Sequence, residues 1–534
     1  MDLNKENCYD AVIVGGGMAG LTAAAYLSKG EKRVLLLEKN NECGGLVKSF
    51  IRNGFQFDIG LRALEDAGII NPMLRDLGIE MDCVRSFVSI GIENEIIHVE
   101  CEDDLDGYTE LLKKFFPNNK EDITAIISLV RRVMSDMNVL YGIENPFFKD
   151  LKRDYRFIFT KLLPWLFRFI ITNYRISNMD GPVEEYVDRL TSNRALRDII
   201  CQHFFKKTPA FFALSYFSLY LDYHYPLGGT GKLSQVVEEK ARSLGAEIKT
   251  GILVVGIDVK ARKVIDEDGN EYLYKELLWA ADQKYLYEHL ELNGCGENVR
   301  EEAAAHKKRI SGKHGGDSVF AVYLEVNLDP LEFKKISHGH FFYSPSAKGV
   351  GDLIDVQLEK ILSNWSEVSH DSVIQWTFDL CQRQTYEISI PVLRDKSAAP
   401  PGKTGLIVSI LFDHGLCRRI DQDGWFDSYK EIVETKIIDV LGASIYPMLK
   451  ENVENVFSIT PLSIEERVAS SDGAITGWAF TESVPAVNRV LKGKQAVRTV
   501  LPNILQAGQW TYSPAGVPMA ILTGKMAADE ILKK

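Results

Sequence analysis

The chain has 534 residues, more than one compact core usually holds, so two domains sharing an extended interface are expected. With 46% hydrophobic and 25% charged residues and no low-complexity tract, the composition is that of an ordinary folded protein. A net charge of −12 argues against nucleic acid as a partner.

Tyr9 to Val14 reads as a short buried strand that runs without a spacer into Gly15-Gly16-Gly17-Met18-Ala19-Gly20. Leu21 to Gly30 reads as a helix, Arg33 to Leu37 as a second strand, and Glu38 closes it. This is G-x-G-x-x-G in a strand-turn-helix context. Gly15 suits the tight turn, Gly17 lets backbone approach a pyrophosphate, and Gly20 lets the helix lie close to the sheet. The helix N-terminus, where Met18 and Ala19 stand, offers unpaired N–H groups to phosphates. Glu38 suits a ribose and would repel a 2′-phosphate, which disfavours NADP. Asn41-Glu42-Cys43-Gly44-Gly45-Leu46 and Gly54-Phe55-Gln56-Phe57-Asp58-Ile59-Gly60 follow.

Residues 106–221 read mainly as helices. Within them, 151–175 carries Lys152, Arg153, Arg156, Lys161, Arg168 and Arg175 against only Asp154, interleaved with Trp165, Phe167, Phe169 and further apolar residues. That composition suits a helix in a membrane interface, with Pro164 kinking or dividing it; a buried helical pair is the alternative. An aromatic stretch from Phe204 to Tyr223 suits either core or the lining of a substrate tunnel. Tyr225-Pro226-Leu227-Gly228-Gly229-Thr230-Gly231 then leads into a helix from Lys232 to Leu244, a strand at 245–248, a segment at Val254, a hairpin turn at Asp268-Gly269 and a strand ending near Ala281. Residues 315–460 mix strands and helices. The chain ends on a strand and turn through Leu505-Gln506-Ala507-Gly508-Gln509-Trp510, then Pro514-Ala515-Gly516-Val517-Pro518 and a helix from Met519 to Leu532.

These segments, in this order, resemble the FAD-dependent phytoene desaturase, carotenoid isomerase and retinol saturase family of the amine oxidase-like flavoprotein superfamily. The chain departs from the family pattern just before the double glycine, where Glu42 and Cys43 stand in place of an arginine. The resemblance implies an α/β fold: a discontinuous Rossmann-like FAD-binding domain (1–95, 222–305 and 465–534) with an inserted α+β substrate and membrane-associating domain (96–221 and 306–464). It implies FAD contacts from Gly15, Gly17, Met18, Ala19 and Gly20, from Glu38 and Lys39, and from Gly44, Gly45 and Leu46. Gly60, Leu61 and Arg62 lie where the family's chain crosses the flavin, Val254 and Ala281 come from the middle piece, and Gly508, Gly516, Val517 and Pro518 from the last. No cysteine occurs after Cys417, so FAD is expected to be non-covalent.

The expected chemistry is that of an FAD-dependent oxidoreductase acting on CH–CH groups: adding, removing or isomerising double bonds in a lipophilic conjugated substrate, a polyene, carotenoid, retinoid or unsaturated fatty acid. With a single dinucleotide fingerprint, a separate electron donor or acceptor is expected. Arg62 could hold a substrate carboxylate, stabilise charge on reduced flavin, or form a surface ion pair with Glu65. Tyr512, beside Trp510, is the candidate general acid. An amine or protoporphyrinogen-type oxidase and a prenyl-protein chaperone on the same fold are the alternatives. The eight scattered cysteines form no C-x-x-C, and the histidines no zinc motif, so neither disulfides nor a metal are expected. Met1 to Asn7 is polar and no apolar run reaches 18 residues, so neither signal peptide nor membrane span is expected. The expected location is cytoplasmic, peripheral on the inner face of a membrane if 151–175 binds lipid.

Overall fold

The computed structural model describes residues 8–149, 154–488 and 492–534. Expectations placed on Met1 to Asn7 and on Lys152 and Arg153 lie outside the described residues. Strand β1 (Cys8–Val14) enters helix α1 (Met18–Lys29), and the chain returns as β2 (Val34–Glu38). Two hairpins follow: β3 (Ser49–Arg52) with β4 (Phe55–Asp58), and β5 (Val88–Ile92) with β6 (Glu95–Val99). Helices α2 (Lys120–Tyr141) and α3 (Leu163–Ile176) precede α4 (Lys232–Ser243). Next come β7 (Glu247–Thr250), β8 (Val254–Asp258), β9 (Lys263–Asp266), β10 (Glu271–Trp279) and β11 (Leu290–Glu291). The remainder adds β12 (Ser318–Val326), β13 (His340–Ser344), β14 (Tyr386–Ser389), β15 (Thr404–Phe412), β16 (Val453–Ile459), β17 (Ile504–Gln506) and the closing helix α5 (Val517–Leu532).

One eight-stranded sheet has the order β7-β2-β1-β10-β9-β8-β11, with β17 paired to the end of β10. Its strands come from three separated stretches of chain, which makes this a discontinuous Rossmann-like unit. Strands β1, β2, β7, β10 and β17 run parallel, while β8, β9 and β10 form an antiparallel meander. Strand β2 is buried at every position and β1 at nearly all, as parallel strands covered on both faces must be. Helix α1 packs between α4 and α5 and buries all but its last residue. Gly524 permits the α1–α5 approach, since a Cβ there would stand 2.3 Å from the Ala19 carbonyl oxygen.

A second, seven-stranded sheet has the order β16-β12-β15-β14-β13-β5-β6. One face packs on helices that contribute Trp376, Leu416, Tyr429 and Ile437 to a large apolar core. Strands β5 and β6 belong to this sheet, so the division expected at residue 95 falls inside a hairpin and the second unit takes up the chain at Val88. The reason is long-range: β5 pairs in parallel with β13, from Val88 opposite His340 to Ile92 opposite Ser344. The helical stretch between the two units has its own core around Tyr108, Ile126, Leu196 and Phe217. Most of the aromatic run from Phe204 to Tyr223 joins that core.

The basic, aromatic segment is not divided at Pro164: it is helical without a break from Tyr155 to Ile176. A helical turn (Tyr155–Phe157) runs through a π-helical stretch (Ile158–Leu162) directly into α3, so the chain meets the proline with a π-helical turn ahead of it rather than with a break. Phe169, Thr172 and Ile176 are buried on the side facing α2, and the Trp165 indole donates to the Val139 carbonyl. The opposite side is bare: Phe167 is 71% exposed and Ile170 60%.

Candidate functional site

A cavity of about 430 Å³ lies between the two units. At its first end the turn after β1 is shaped by glycine. Gly15 has φ +106°, and a Cβ on it would stand 2.7 Å from the Ala280 carbonyl oxygen. A Cβ on Gly20 would stand 2.0 Å from the Gly15 carbonyl oxygen, so helix and turn meet there without a side chain. Gly17 is different. Its φ of −74° suits any residue, and nothing lies within 4 Å of where its Cβ would be. Protein packing therefore does not demand glycine at 17; the space it leaves open belongs to the cavity.

Helix α1 has no side-chain cap, so its first-turn N–H groups face that space without an intrahelical acceptor. Glu38 is buried at the tip of β2. Its Oε2 accepts the Gly16 N–H at 2.6 Å, and its Oε1 accepts the Asn40 N–H at 2.9 Å and side-chain amide at 2.7 Å. Gly44 donates its N–H to the Gly16 carbonyl at 2.8 Å, tying the double glycine to the same turn. Glu42, in the arginine's place, pairs with Lys48 outside the cavity. The N-terminus of α5 approaches from the other side through Gly516 and Val517. An uncapped helix terminus, an acid at the strand tip and an open cradle at Gly17 together fit the pyrophosphate and ribose of a dinucleotide.

Of the residues singled out from sequence, Gly15, Gly17, Met18, Ala19, Glu38, Lys39, Gly44, Gly45, Leu46, Gly60, Leu61, Arg62, Val254, Ala281, Gly508, Gly516 and Val517 line this one cavity. Gly20 acts behind the wall. Pro518 sits in the first turn of α5 and is not part of the lining. Tyr512 is also absent from the lining. It is 8% exposed, and burial pushes its hydroxyl up to about 12, so the structure does not bring this candidate acid to the cavity.

Asp58 is the fastener of the site. Its Oδ1 accepts Ser49 Oγ at 2.6 Å and the Thr230 N–H at 2.9 Å, and its Oδ2 accepts the Tyr225 hydroxyl at 2.8 Å. One buried carboxylate thus joins the Phe-Gln-Phe-Asp strand to the Tyr-Pro-Leu-Gly-Gly-Thr segment and fixes the crossing of Gly60 to Arg62. Arg62 is 2% exposed. Its Nη1 donates to the Asp58 and Ile59 carbonyls at 2.6 and 3.0 Å, and its Nη2 to Ser409 Oγ at 2.9 Å. The surface ion pair with Glu65 is therefore not formed: Arg62 points inward to backbone acceptors, and burial with Asp222 and Asp66 nearby pushes Glu65 up to about 8.

The far end of the cavity is a wall of the second sheet: Val319 on β12, Leu411 on β15 and Glu387 on β14, with Phe205 beside them. Glu387 stands opposite Ser409 on one side and Phe342 on the other, and one of its oxygens meets His340 Nε2 at 2.9 Å. His340 is 1% exposed, and burial lowers its imidazole pKa, so it is neutral and its Nδ1 has no hydrogen-bond partner. Burial raises Glu387, but the His340 hydrogen bond and the positive charges of Arg62 and Arg394 outweigh it, leaving the carboxyl below its ordinary range. Sequence reasoning passed over Asp58 as a fastener and Glu387 altogether. The available signal was one acid between the apolar positions Tyr386 and Ile388 of a short strand, Tyr386-Glu387-Ile388-Ser389.

With this geometry in view, comparison with known proteins is informative. Residues 13–77 match the NAD(P)-binding Rossmann-like domain model. Over 94% of its length the chain is 22% identical to an all-trans-retinol 13,14-reductase of Danio rerio, covering 82% of that protein. It is 21% identical to a 4,4'-diapophytoene desaturase of Staphylococcus aureus, covering 98% of each chain. Its fold resembles the crystal structure of an oxidoreductase from Methanosarcina mazei with TM-score 0.63 at 13% identity, covering 97% of this chain and 99% of that one.

Proposed function

We propose that the chain is an FAD-dependent oxidoreductase of the desaturase and saturase kind, and that it exchanges hydrogen across a carbon–carbon bond of a lipophilic conjugated substrate. A polyene, carotenoid, retinoid or unsaturated fatty acid is the substrate class. One observation carries the reading: a single cavity joins the dinucleotide cradle to an apolar wall of the second sheet. FAD, held at the cradle by the α1 terminus, Glu38 and the Gly44-Gly45 turn, supplies a two-electron hydride acceptor or donor. The protein's own residues do the rest. Asp58 and Arg62 set the crossing segment, Gly60 to Arg62, against the cavity. Val319, Leu411 and Phe205 exclude water and press a conjugated chain into place, and conjugation spreads the charge that develops on it. No cysteine or histidine lines the cavity among the described residues, which supports non-covalent attachment. Electrons enter or leave through a separate donor or acceptor.

The test is direct. The purified protein should be yellow and release intact FAD on denaturation. After anaerobic photoreduction, or in the oxidised state, its flavin spectrum should respond to all-trans-retinol, 4,4'-diapophytoene or a conjugated fatty acid. Oxygen-linked turnover of an amine, with no response to any polyene, would replace this reading with the oxidase one.

Among the described residues no helix is long and apolar enough to cross a membrane. The bare side of α3 supports peripheral attachment at the inner face of an anionic membrane. Phe159, Phe167, Ile170 and Tyr174 are exposed there beside the cations Arg156, Lys161 and Arg168. Arg175 is held by Asp136 and is not free for lipid. Co-sedimentation with phosphatidylglycerol vesicles should be lost on Phe167→Ser with Ile170→Ser. It should weaken by about 1 kcal/mol per charge on Arg156→Glu and Arg168→Glu. Vesicle binding indifferent to all four changes would overturn the attachment.

A further inference from the structure

The exchange of hydrogen across a carbon–carbon bond needs two partners on the enzyme. One carbon exchanges a hydride with the flavin, and its neighbour must exchange a proton with something else. Five side chains that line the cavity carry formal charge: Glu38, Lys39, Arg62, Asp282 and Glu387. Glu38 is bound to the glycine turn. Lys39 Nζ donates to the Glu466 carbonyl at 2.6 Å, and Asp282 caps the helix at Gln283–Glu288 and accepts the Ser471 N–H at 2.7 Å. All three belong to the dinucleotide end. Arg62 does not give up its proton.

That leaves Glu387, on the apolar wall. We propose that Glu387 is the residue that exchanges a proton with the substrate, with His340 as its positioning partner. The inference rests on the polyene reading above and deepens it by naming the proton's destination. In the dehydrogenating direction the substrate loses a hydride, with both electrons, to the flavin. The adjacent C–H bond breaks, its electron pair forms the new double bond, and the proton passes to the Glu387 carboxylate to give a carboxylic acid. Saturation is the same step reversed, with the acid returning its proton to carbon.

The surroundings of Glu387 suit this work. His340 engages one oxygen and leaves the other to the cavity. A third of the Glu387 side chain is accessible although its strand is interior to the sheet, so that surface opens into the cavity. The titratable and charged groups facing it are His340 from β13, Arg62 from the crossing segment, Arg394 from the turn after β14, and the neutral hydroxyls of Tyr220 and Tyr223. Arg62 and Arg394 balance Asp58 and Glu387 in a buried set of four charges, so the resting state is a carboxylate. That state accepts a proton, so it is the form from which the dehydrogenating direction starts. Because its carboxyl lies below the ordinary carboxylate range, the base form persists as pH falls through mildly acidic values. The acid limb of the rate profile is then expected below that range.

Glu387→Gln keeps the shape of the side chain and removes the base. Flavin reduction by the polyene that the unsubstituted holoenzyme accepts should slow by about 100-fold, the ordinary scale for losing a positioned acid or base. Glu387→Asp should recover part of the rate. Bound FAD and polyene binding, read by quenching of Trp279 and Trp510 fluorescence, should stay unchanged. Independently of turnover, acidification of the holoenzyme should raise a carboxyl C=O band in the infrared difference spectrum that Glu387→Gln deletes. A Glu387→Gln enzyme within threefold of the original rate would overturn the proposal while leaving the reaction intact. Failure of the unsubstituted holoenzyme on every polyene would overturn the reading of the reaction and this proposal with it.

Discussion

The two ends of the cavity are built by different means. At the dinucleotide end, the demands fall on backbone: a left-handed turn at Gly15, contact without a side chain at Gly20, open space at Gly17. All three lie within six consecutive residues. At the sheet end the demands fall on side chains, and Arg62, His340, Glu387 and Ser409 come from four places spread over nearly 350 residues. Backbone geometry that only glycine can meet leaves a local mark in a sequence. A constellation assembled by strand pairing leaves almost none.

The sharpest way to break that contrast is at the glycine turn. Gly17→Val should leave a folded but colourless protein, because the backbone there tolerates any residue and the new side chain enters only the cavity. Gly20→Val should instead fail to fold, its Cβ being forced into the Gly15 carbonyl. Circular dichroism with flavin absorbance separates the two. A yellow Gly17→Val protein would place the dinucleotide elsewhere.

The sheet end yields a smaller effect. Arg62→Ala removes donors from the Asp58 and Ile59 carbonyls and from Ser409, all buried, and should cost about 3 kcal/mol in urea unfolding. Arg62→Lys, unable to fork between these acceptors, should recover less than half. A cost below about 0.5 kcal/mol would show that the arginine is held for ligand rather than for structure.

This division explains what was legible. The β1–α1–β2 unit stands within a few residues of where periodicity and glycine spacing place it, and the chain returns to the same sheet through β7 and β10 after the Tyr225 segment and through β17 before Gly508. Alternation of apolar residues marks β12 and β15 as strands but carries no register, so nothing local says that Val88 lies beside His340. The same blindness hid Glu387. Arg62, read as one of three things from its neighbours, proved to be buried because Tyr323 and Ser409, far along the chain, close over it.

Glu65 lies where the two regions meet, on a two-residue strand paired with Tyr223 and His224, and it supplies the mildest test. Burial, with Asp222 and Asp66 nearby, raises it from an ordinary 4.5 to about 8. The folded chain therefore keeps this proton between those values while the unfolded chain releases it. More protons are bound folded than unfolded in that window, so stability falls as pH rises through it. The contribution is full below about 4.5, is lost progressively up to about 8, and is level above, where both states are ionised. Asp222 is raised by burial as well and adds to the same slope, so the original chain declines more than Glu65 alone requires. Glu65→Gln should flatten the decline of urea midpoint with pH without abolishing it, leaving the part that belongs to Asp222. Midpoints that fall equally in both proteins would mean that Glu65 is hydrated, and that the junction between the two regions is open to water rather than sealed.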